Sequence, residues 1–365
     1  MTVRIEQHDA LWFAHLGSAF VGSSHTSDVI TPQLETASRY GYDGQFYYFI
    51  AADPANARHY MHVGTTDQAG IRYARITYPL AARAAGLGSA RAVPYALIVL
   101  NLLGVLVGTG ALAAWLRRRG RSPAFALVYG LWPGIVFAVF RDLAEPLVYG
   151  LVPVAALLFD LRSNRRLVAA GVLLALALLG RETAIAFALV GTGVLAAHDR
   201  SWRRPAWFLA LTVGPMLAWR IALTAWLHVT TLEPAGGGRV LLPFYGMRAW
   251  WPWDSVHWLM FWTLDVPLLL AAAAALYLLY RRTAAAAAWL LLLNVALFIV
   301  FVPRQITIDY SGAGRNAAPA VLAAVFLLPA LSRRSAVAAA ALLSPVWFLV
   351  IAAALGLNGF DLVTT

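Results

Sequence analysis

Residues 94–121 read PYALIVLNLLGVLVGTGALAAWLRRRGR, an apolar run that ends in a cluster of arginines. An α-helix crosses the hydrocarbon core of a bilayer with about 17–25 predominantly apolar residues. Short connections that are rich in arginine stay on the cytoplasmic side of a membrane. The stretch therefore predicts a transmembrane helix whose carboxyl-terminal end faces the cytoplasm.

The same pattern repeats through the rest of the chain. The candidate spans lie at roughly 94–116, 123–140, 143–161, 166–180, 183–197, 205–227, 263–280, 284–302, 316–331 and 336–357. Every second connection carries arginines, namely Arg117, Arg118, Arg119, Arg121, Arg162, Arg165, Arg166, Arg200, Arg203, Arg204, Arg281, Arg282, Arg333 and Arg334. Arginines there also suit helix C-termini, which is compatible with the same topology. The chain is predicted to be all-α: a polytopic integral membrane helical bundle of about 10–11 transmembrane helices.

The composition supports a membrane protein. The chain is 61% hydrophobic and only 12% charged, whereas soluble domains carry about 25% charged residues. Its net charge of +11 comes from arginines at the segment ends, so it indicates orientation in a membrane and not binding to nucleic acid. The absence of cysteine excludes disulfides and thiolate metal sites. The Ala/Arg/Leu bias is typical of a GC-rich bacterial genome, which predicts the bacterial inner (plasma) membrane.

The amino-terminal segment does not fit this pattern. Residues 10–22 are apolar but short, and no signal peptide is evident. Residues 23–93 should nevertheless lie outside. Either residues 10–22 form a weak first span, or the chain starts upstream and its first helix is missing; we expect the second. We therefore divide the chain into 1–93, a weak or truncated first helix with an external loop and juxtamembrane helices, and 94–365, the transmembrane bundle.

A first group of polar residues lies in this external segment, in GYDGQFYYFIAADP at residues 41–54. Asp43 directly precedes a helix-like run, where a carboxylate can accept backbone N–H bonds as an N-cap. The same ionised carboxylate could act as a general base toward a sugar hydroxyl. Spacing alone leaves both roles open. Arg72 and Arg75 add positive charge nearby.

Two further groups of ionisable residues lie in short turns between apolar runs. The first turn contains Arg141, Asp142 and Glu145, and the second contains Arg181 and Glu182. Arg141 and Glu145 are four residues apart and could form a structural pair on one helix face. Ionisable groups at membrane depth usually face a cavity and mark a substrate path. Both turns belong to the outward set, so we expect them at the same depth.

A fourth group, DYSGAGRN at residues 309–316, enters the ninth apolar segment. Arg315 could bind a phosphate with two parallel hydrogen bonds, or it could anchor its helix at the lipid headgroups. Trp250, Trp251 and Trp253 suit either a membrane-interface belt or stacking against a sugar or lipid. The histidines lack metal-site spacing, and neither a nucleotide-binding glycine loop nor a Ser-His-Asp arrangement is recognisable.

The order of these groups resembles that of the GT-C membrane glycosyltransferases, above all the PIG-V type of mannosyltransferase and its bacterial relatives. Tyr42-Asp43-Gly44 and the aromatic run after it resemble the start of the family's first external loop. The stretch ITYPL at 76–80 resembles its Tyr-Pro-Leu stretch. Residues 132–146 resemble its proline-containing helix and acidic turn, and residues 170–182 resemble the next helix with its arginine turn. The matches are short, occur in the right order, and cover roughly residues 40–200.

The resemblance implies a membrane glycosyltransferase that moves a sugar from a polyprenyl-phosphate donor to a lipid, glycan or protein acceptor on the non-cytoplasmic face, with inversion at the anomeric carbon. The family's first-loop acid corresponds to Asp43, the expected general base. Charge and side suggest the remaining assignments: Tyr42, Gln45, Asp142, Glu145, Glu182 and Tyr310 for substrate, and Arg75, Arg141, Arg181 and Arg315 for the donor phosphate. No cofactor is identified; a divalent metal is compatible with the carboxylates but is not required.

Two other functions remain open from the sequence. A multi-span transporter or lipid flippase would also need many helices, but such proteins often contain internal repeats and broken helices at mid-bilayer. No clear repeat is visible, and the charges lie at one face. A non-catalytic membrane scaffold would retain the helices without a working site. Uptake or flipping without a covalent product would favour the transporter.

Overall fold

The computed structural model describes residues 10–21, 38–63, 66–67, 69–161, 163–228, 242–359 and 361–362. This part of the chain is helical apart from one antiparallel pair of short strands, β1 (His62–Val63) and β2 (Thr66–Asp67). The α-helices are α1 (Ser18–Val21), α2 (Gly44–Ala52), α3 (Ala69–Tyr73), α4 (Thr77–Ala85), α5 (Val93–Arg118), α6 (Leu127–Gly130), α7 (Pro133–Phe140), α8 (Glu145–Leu158), α9 (Asn164–Gly180), α10 (Ile185–His198), α11 (Arg203–Leu227), α12 (Tyr245–Arg248), α13 (Ser255–Met260), α14 (Val266–Tyr280), α15 (Ala285–Phe301), α16 (Tyr310–Leu327), α17 (Arg333–Leu342) and α18 (Pro345–Ala354). A π-helical segment, Phe261–Asp265, joins α13 to α14. Short 3-10 helices lie at Ala10–Ala14, Ala57–Tyr60, Pro123–Ala126, Glu182–Ala184, Arg304–Thr307 and Leu328–Ala330.

Four of the described helices are long and apolar enough to cross a membrane: Val93–Arg118, Arg203–Leu227, Ser255–Tyr280 and Tyr310–Ala330. The number rises to six if each of two bent pairs, α6 with α7 and α17 with α18, counts as one span. Three further apolar helices are shorter, at Glu145–Leu158, Glu182–His198 and Ala285–Val300. The described residues thus support four to six spans by length and composition. This is fewer than the 10–11 predicted, because several predicted spans are short or broken.

The amino-terminal segment forms no span within residues 10–21. It contains only a five-residue 3-10 helix, Ala10–Ala14, and the four-residue helix α1. The weak first span is therefore not seen in these residues. The helix-like run that follows Asp43 in the sequence forms α2, so this prediction is confirmed. Residues 23–37 of the predicted external segment 23–93 lie outside the described residues.

Glycines allow close contact between central helices. A Cβ added at Gly108 of α5 would lie 2.6 Å from the Cα of Gly150 in α8, and Gly104 packs on the same helix. Small residues four apart permit such contact between apolar helices. A Cβ added at Gly134, at the start of α7, would lie even closer to the Gly314 carbonyl of α16. This second contact fixes the position of Arg315, which belongs to the candidate site.

The bundle has two chemically different ends. At the charged end, the starts of α8 and α16 meet the end of α9, and Glu145 pairs with Arg181. At the arginine-rich end lie the turns 117–121, 163–166, 199–204, 281–284 and 329–334. There Arg121 donates a hydrogen bond to the Pro329 carbonyl at 3.0 Å. Helix α5 has 26 residues, so its length of about 39 Å separates the two ends.

Candidate functional site

The first loop reaches the charged end through α2, whose start packs on the backbone of residue 141. A Cβ at Gly44 would collide with the Arg141 carbonyl oxygen, so this approach requires glycine. Asp43 occupies the N-cap position of α2, but its side chain makes no bond to the helix. The capping role considered from the sequence is therefore wrong, and the carboxylate binds other partners.

Two arginines that are distant in sequence hold the Asp43 carboxylate. Arg72 Nη2 lies 2.7 Å from Oδ1, and Arg315 Nη2 lies 3.0 Å from Oδ2. The guanidinium of Arg72 also lies over the Phe46 ring, 4.7 Å from its centroid. Both carboxylate oxygens are thus pinned by charged donors, while 19% of the side chain stays exposed.

Arg315 extends this network toward both predicted turns. Its Nη1 lies 3.6 Å from Glu145 Oε1, and the same oxygen lies 2.5 Å from Arg181 Nη2. These contacts are ion pairs without well-aligned hydrogen bonds, since neither oxygen of Glu145 accepts a hydrogen bond of normal geometry. Arg181 also donates to the side chain of Asn316 at 3.1 Å. The first loop, the two turns and the start of α16 therefore meet at one place.

Glu182 forms a second centre beside this network. Arg75 Nη2 lies 2.9 Å from its Oε1, and Arg220 Nη2 lies 3.9 Å from its Oε2. The Glu182 side chain is 41% exposed, whereas Arg75 and Arg220 are mostly buried. This carboxylate can therefore meet a ligand from solvent while its two arginines hold it in place.

Tyr42 gathers two guanidinium groups around its ring. Arg141 and Arg315 lie 5.1 and 5.5 Å from the ring centroid, within the range of cation–π attraction. The Tyr42 hydroxyl shares a hydrogen bond with the Ser311 hydroxyl at 2.9 Å. No carboxylate of the described residues pairs with Arg141, so the Arg141–Glu145 pair considered from the sequence is not formed. Arg141 is thus held at the site without an ion-pair partner among the described residues.

The charges of the site do not balance. Five arginines and three carboxylates take part in its ion pairs, which leaves an excess of positive charge. Burial raises the pKa of Asp43, but Arg72 and Arg315 outweigh this effect and hold the pKa well below its usual range. Burial also raises the pKa of Glu182, but the positive charge of Arg75 outweighs this effect. The pKa of the Glu182 carboxyl is therefore lowered as well. Both carboxylates are therefore ionised at neutral pH.

Arg181 and Arg315 keep unused donors within the network. The Nε–H groups of Arg181 and Arg315 are buried and have no hydrogen-bond partner among the described residues. A buried donor left unsatisfied costs about 1–3 kcal/mol. An anion with several oxygens would satisfy such donors, so the cluster is built to receive negative charge.

Asp142 lies next to this network but outside it. Its side chain is fully buried, its φ is +46°, and neither carboxylate oxygen has a hydrogen-bond partner among the described residues. Burial raises the pKa of this carboxyl well above its ordinary value, which favours the protonated form. A side chain so enclosed cannot reach a ligand at the charged end, which corrects its assignment to substrate binding.

Gln45 and Tyr310 also have structural roles. Gln45 is fully buried; its Oε1 accepts the N–H of Gly17 at 2.9 Å, and its Nε2 donates to the Tyr40 carbonyl at 2.8 Å. Tyr310 is fully buried, and its hydroxyl oxygen accepts a hydrogen bond from Thr263 at 3.3 Å. Both were predicted to bind substrate, and both instead hold segments of the chain together.

Some residues of the site were missed or underrated from the sequence. Arg72 was seen only as nearby positive charge, although it is a direct partner of Asp43. Asn316 belonged to the fourth polar group but was given no role, and Arg220 was not considered. Arg220 had a usable signal, because it interrupts the predicted span 205–227, and an ionisable residue inside a span often marks a functional site.

Neither a metal site nor a similar known protein indicates the function. Within the described residues, no group of three or more His, Asp or Glu side chains could hold a metal ion. Comparison of the chain with protein-family models, curated proteins and solved structures finds no match. The function is therefore argued from the geometry of the charged end.

Proposed function

We propose that the protein is a GT-C-type membrane glycosyltransferase of the bacterial inner membrane. It would move a sugar from a polyprenyl-phosphate donor to a lipid, glycan or protein acceptor on the non-cytoplasmic face. The observation that carries the proposal is the Asp43 carboxylate, held by Arg72 and Arg315 within a cluster that has more guanidinium groups than carboxylates. The cluster lies at the end remote from the arginine-rich turns, which the positive-inside rule assigns to the cytoplasm.

The excess positive charge suits the phosphate of the donor. Guanidinium groups match phosphate oxygens with parallel hydrogen bonds, and Arg315 retains a buried donor for this purpose. Arg141 lies beside it at the Tyr42 ring, and no carboxylate of the described residues forms an ion pair with it. Negative charge develops on the phosphate as it leaves, so cations already in position lower the barrier. The apolar helices below would accommodate the polyprenyl tail.

Donor binding would also activate the base. With both oxygens in ion pairs, Asp43 is a weak proton acceptor. When the donor phosphate takes Arg315, Asp43 loses one of its two cations and its pKa rises. Asp43 then accepts the proton of the acceptor hydroxyl. The hydroxyl oxygen bonds to the anomeric carbon, and the bond to the phosphate oxygen breaks with its electron pair leaving on the phosphate. Attack from the face opposite the phosphate inverts the configuration.

A transporter or lipid flippase is the second candidate, and the helix Ser255–Tyr280 favours it. A π-helical segment interrupts this helix and carries Asp265, a buried carboxyl within an apolar segment. Such interruptions and buried acids often occur along transport paths. The main charged cluster, however, lies at one end of the bundle and not midway, which favours the transferase.

The test is sugar transfer by the purified protein in lipid vesicles. Wild-type protein with a polyprenyl-phosphate donor carrying a radiolabelled sugar, and a bacterial lipid extract as acceptor, should give a labelled product. Asp43→Asn should bind the donor but lose transfer by about 100-fold or more, the usual contribution of a general base. Asp160→Asn is the matched control, because Asp160 pairs with Arg166 at the arginine-rich end. This variant should transfer sugar at the wild-type rate.

Two outcomes would contradict the proposal. Full activity of Asp43→Asn would show that Asp43 is not the general base. Movement of the labelled donor across the bilayer without a covalent product would favour the flippase.

A further inference from the structure

A cavity of about 490 Å³ lies at the arginine-rich end of the bundle. The cavity is open at one side, and residues of α5, α8, α9, α10, α15 and α16 form its mainly apolar wall. Residues that form the wall include Val152, Phe159, Leu174, Phe187, Val194 and Leu290. Of the described residues around the cavity, Arg119 alone is charged. Its volume lies within the range of about 300–1,000 Å³ that is typical of ligand pockets.

The surroundings of the cavity are strongly basic. Arg119 follows the end of α5, and its guanidinium lies over the Trp115 ring, 3.6 Å from the centroid. Residues 284–287 and 329–330 also form part of the wall, next to the arginine pairs 281–282 and 333–334. These arginines are exposed, and the segments 115–121, 281–287 and 329–334 contain no carboxylate. An occupant with a negatively charged head would complement this surface.

The start of α15 adds backbone donors to the same place. The N-cap residue of α15 is Ala284, whose methyl side chain cannot accept a hydrogen bond from the first N–H groups of the helix. Ala285–Ala287, which follow it, line the cavity. The first N–H groups of an α-helix have no partner within the helix, and the helix dipole favours an anion there. These donors supplement Arg119 at the polar edge of the cavity.

We propose that the cavity binds one acyl chain of an anionic phospholipid, drawn from the leaflet at the arginine-rich end, with the lipid phosphate held by Arg119. Basic pockets between membrane helices on the cytoplasmic side bind anionic lipid headgroups. The phosphate of the sugar donor is a poor alternative ligand for Arg119, because the length of α5 separates Arg119 from Asp43. The inference depends on the membrane setting but not on sugar transfer.

The test uses phosphatidylglycerol with a photoreactive group near the end of one acyl chain, in vesicles that contain the full-length protein. Phosphatidylcholine with the same labelled chain is the comparison. After illumination, the labelled peptides are identified by mass spectrometry. Phosphatidylglycerol should label the peptides of α9, α10 and α15 that line the cavity at least about five-fold more than phosphatidylcholine.

Two variants with matched controls test the binding of the acyl chain and the binding of the lipid headgroup separately. Val194→Trp fills the cavity and should abolish labelling of its wall, whereas Leu189→Trp, exposed on the same helix, should not. Arg119→Gln should reduce labelling by phosphatidylglycerol about ten-fold, the effect of one lost charge-assisted hydrogen bond. Arg165→Gln, an exposed arginine elsewhere at the same end, should leave labelling unchanged.

Equal labelling by the two lipids would overturn the inference, as would wall labelling that survives in Arg119→Gln. Arg119 lies at the surface beyond α5, so this variant stays informative even if Val194→Trp does not fold. Sugar transfer is measured on the same vesicles. Failed lipid labelling beside normal transfer would refute the lipid site alone, and the reverse result would refute the transferase alone.

Discussion

At the residue scale, the ion pairs of Asp43 predict how stability depends on pH. Its pKa is lower in the folded protein than in the unfolded chain, where it is about 3.9. The stability that it contributes is therefore complete above about pH 4 and is lost as the pH falls toward the folded-state pKa. Asp43→Asn should lower the free energy of unfolding by about 3 kcal/mol at pH 7, because Arg72 and Arg315 lose their carboxylate.

Denaturant unfolding in detergent at pH 7 and pH 3 measures this effect. The difference between wild type and Asp43→Asn should be smaller at pH 3. A difference that is unchanged or larger at pH 3 would show that the carboxylate is not held as described.

Asp142 predicts the opposite pH dependence. Its buried carboxyl has a raised pKa in the folded protein, so the folded state holds a proton that the unfolded chain releases above about pH 4. Wild type should therefore lose stability as the pH rises from 4 to 8. Asp142→Asn, which cannot ionise, should match wild type near pH 4 and exceed it by about 1 kcal/mol or more at pH 8. Wild type that is more stable than the variant at pH 8 would contradict the burial of Asp142.

A variant of Arg141 should change donor binding without changing the stability of the protein. Because no described carboxylate pairs with it, Arg141→Gln should leave the unfolding temperature nearly unchanged. It should raise the KM for the polyprenyl-phosphate donor about ten-fold, the effect of one lost phosphate contact. Arg315→Gln should reduce both donor binding and stability, since Arg315 also pairs with Asp43 and Glu145. Equal effects of the two variants on stability would contradict the absence of an ion pair at Arg141 among the described residues.

The sequence allows only part of this site to be predicted. Ionisable side chains beside apolar runs are rare enough to be noticed, which is how Asp43, Glu145, Arg181 and Arg315 could be chosen. Their convergence is confirmed by the ion pairs. Which way a polar side chain points depends on packing between distant segments. For this reason Asp142, and equally Gln45 and Tyr310, could not be told apart from ligand-binding residues.

At the element scale, the contact between α7 and α16 controls the position of Arg315. Gly134 lies against the Gly314 carbonyl, and the Trp132 Nε1–H donates to the same carbonyl at 2.8 Å. A methyl group at Gly134 must push α16 away, which costs about 1–3 kcal/mol. Gly134→Ala should therefore lower both the unfolding temperature and sugar transfer.

Gly110→Ala is the matched control for this change. Gly110 lies within α5, and a Cβ there would meet no atom within 4 Å. Alanine at this position should stabilise the helix by about 0.5–1 kcal/mol and leave transfer unchanged. If Gly134→Ala behaved like Gly110→Ala in both assays, the helix contact would not position the site.

Helix positions were easier to predict than helix ends and breaks. The span predicted at 94–116 lies within Val93–Arg118, because apolar length and the arginine cluster limit it on both sides. The span predicted from residue 263 instead belongs to a helix that starts at Ser255, where Asp254 accepts the His257 N–H as an N-cap. The 50° bend between α6 and α7 follows packing and Pro133, which composition alone does not reveal.

At the scale of the whole molecule, charge separates the two ends of the bundle. The alternation of arginine-rich and acidic connections predicted that the two kinds would gather at opposite ends. The Arg121–Pro329 contact and the Glu145–Arg181 pair lie at those ends. The positive-inside rule predicts that the arginine-rich end faces the cytoplasm.

Single-cysteine labelling tests the central claim, that the charged end is an outward-facing site for a phosphate-bearing lipid. The chain has no cysteine of its own. Tyr40 is 56% exposed beside the charged end, and Thr283 is exposed at the arginine-rich end. A membrane-impermeant maleimide applied to intact cells should label Tyr40→Cys but not Thr283→Cys, and polyprenyl phosphate should slow the labelling of Tyr40→Cys in vesicles. Labelling of Thr283→Cys in intact cells, or no protection of Tyr40→Cys by the lipid, would contradict the account.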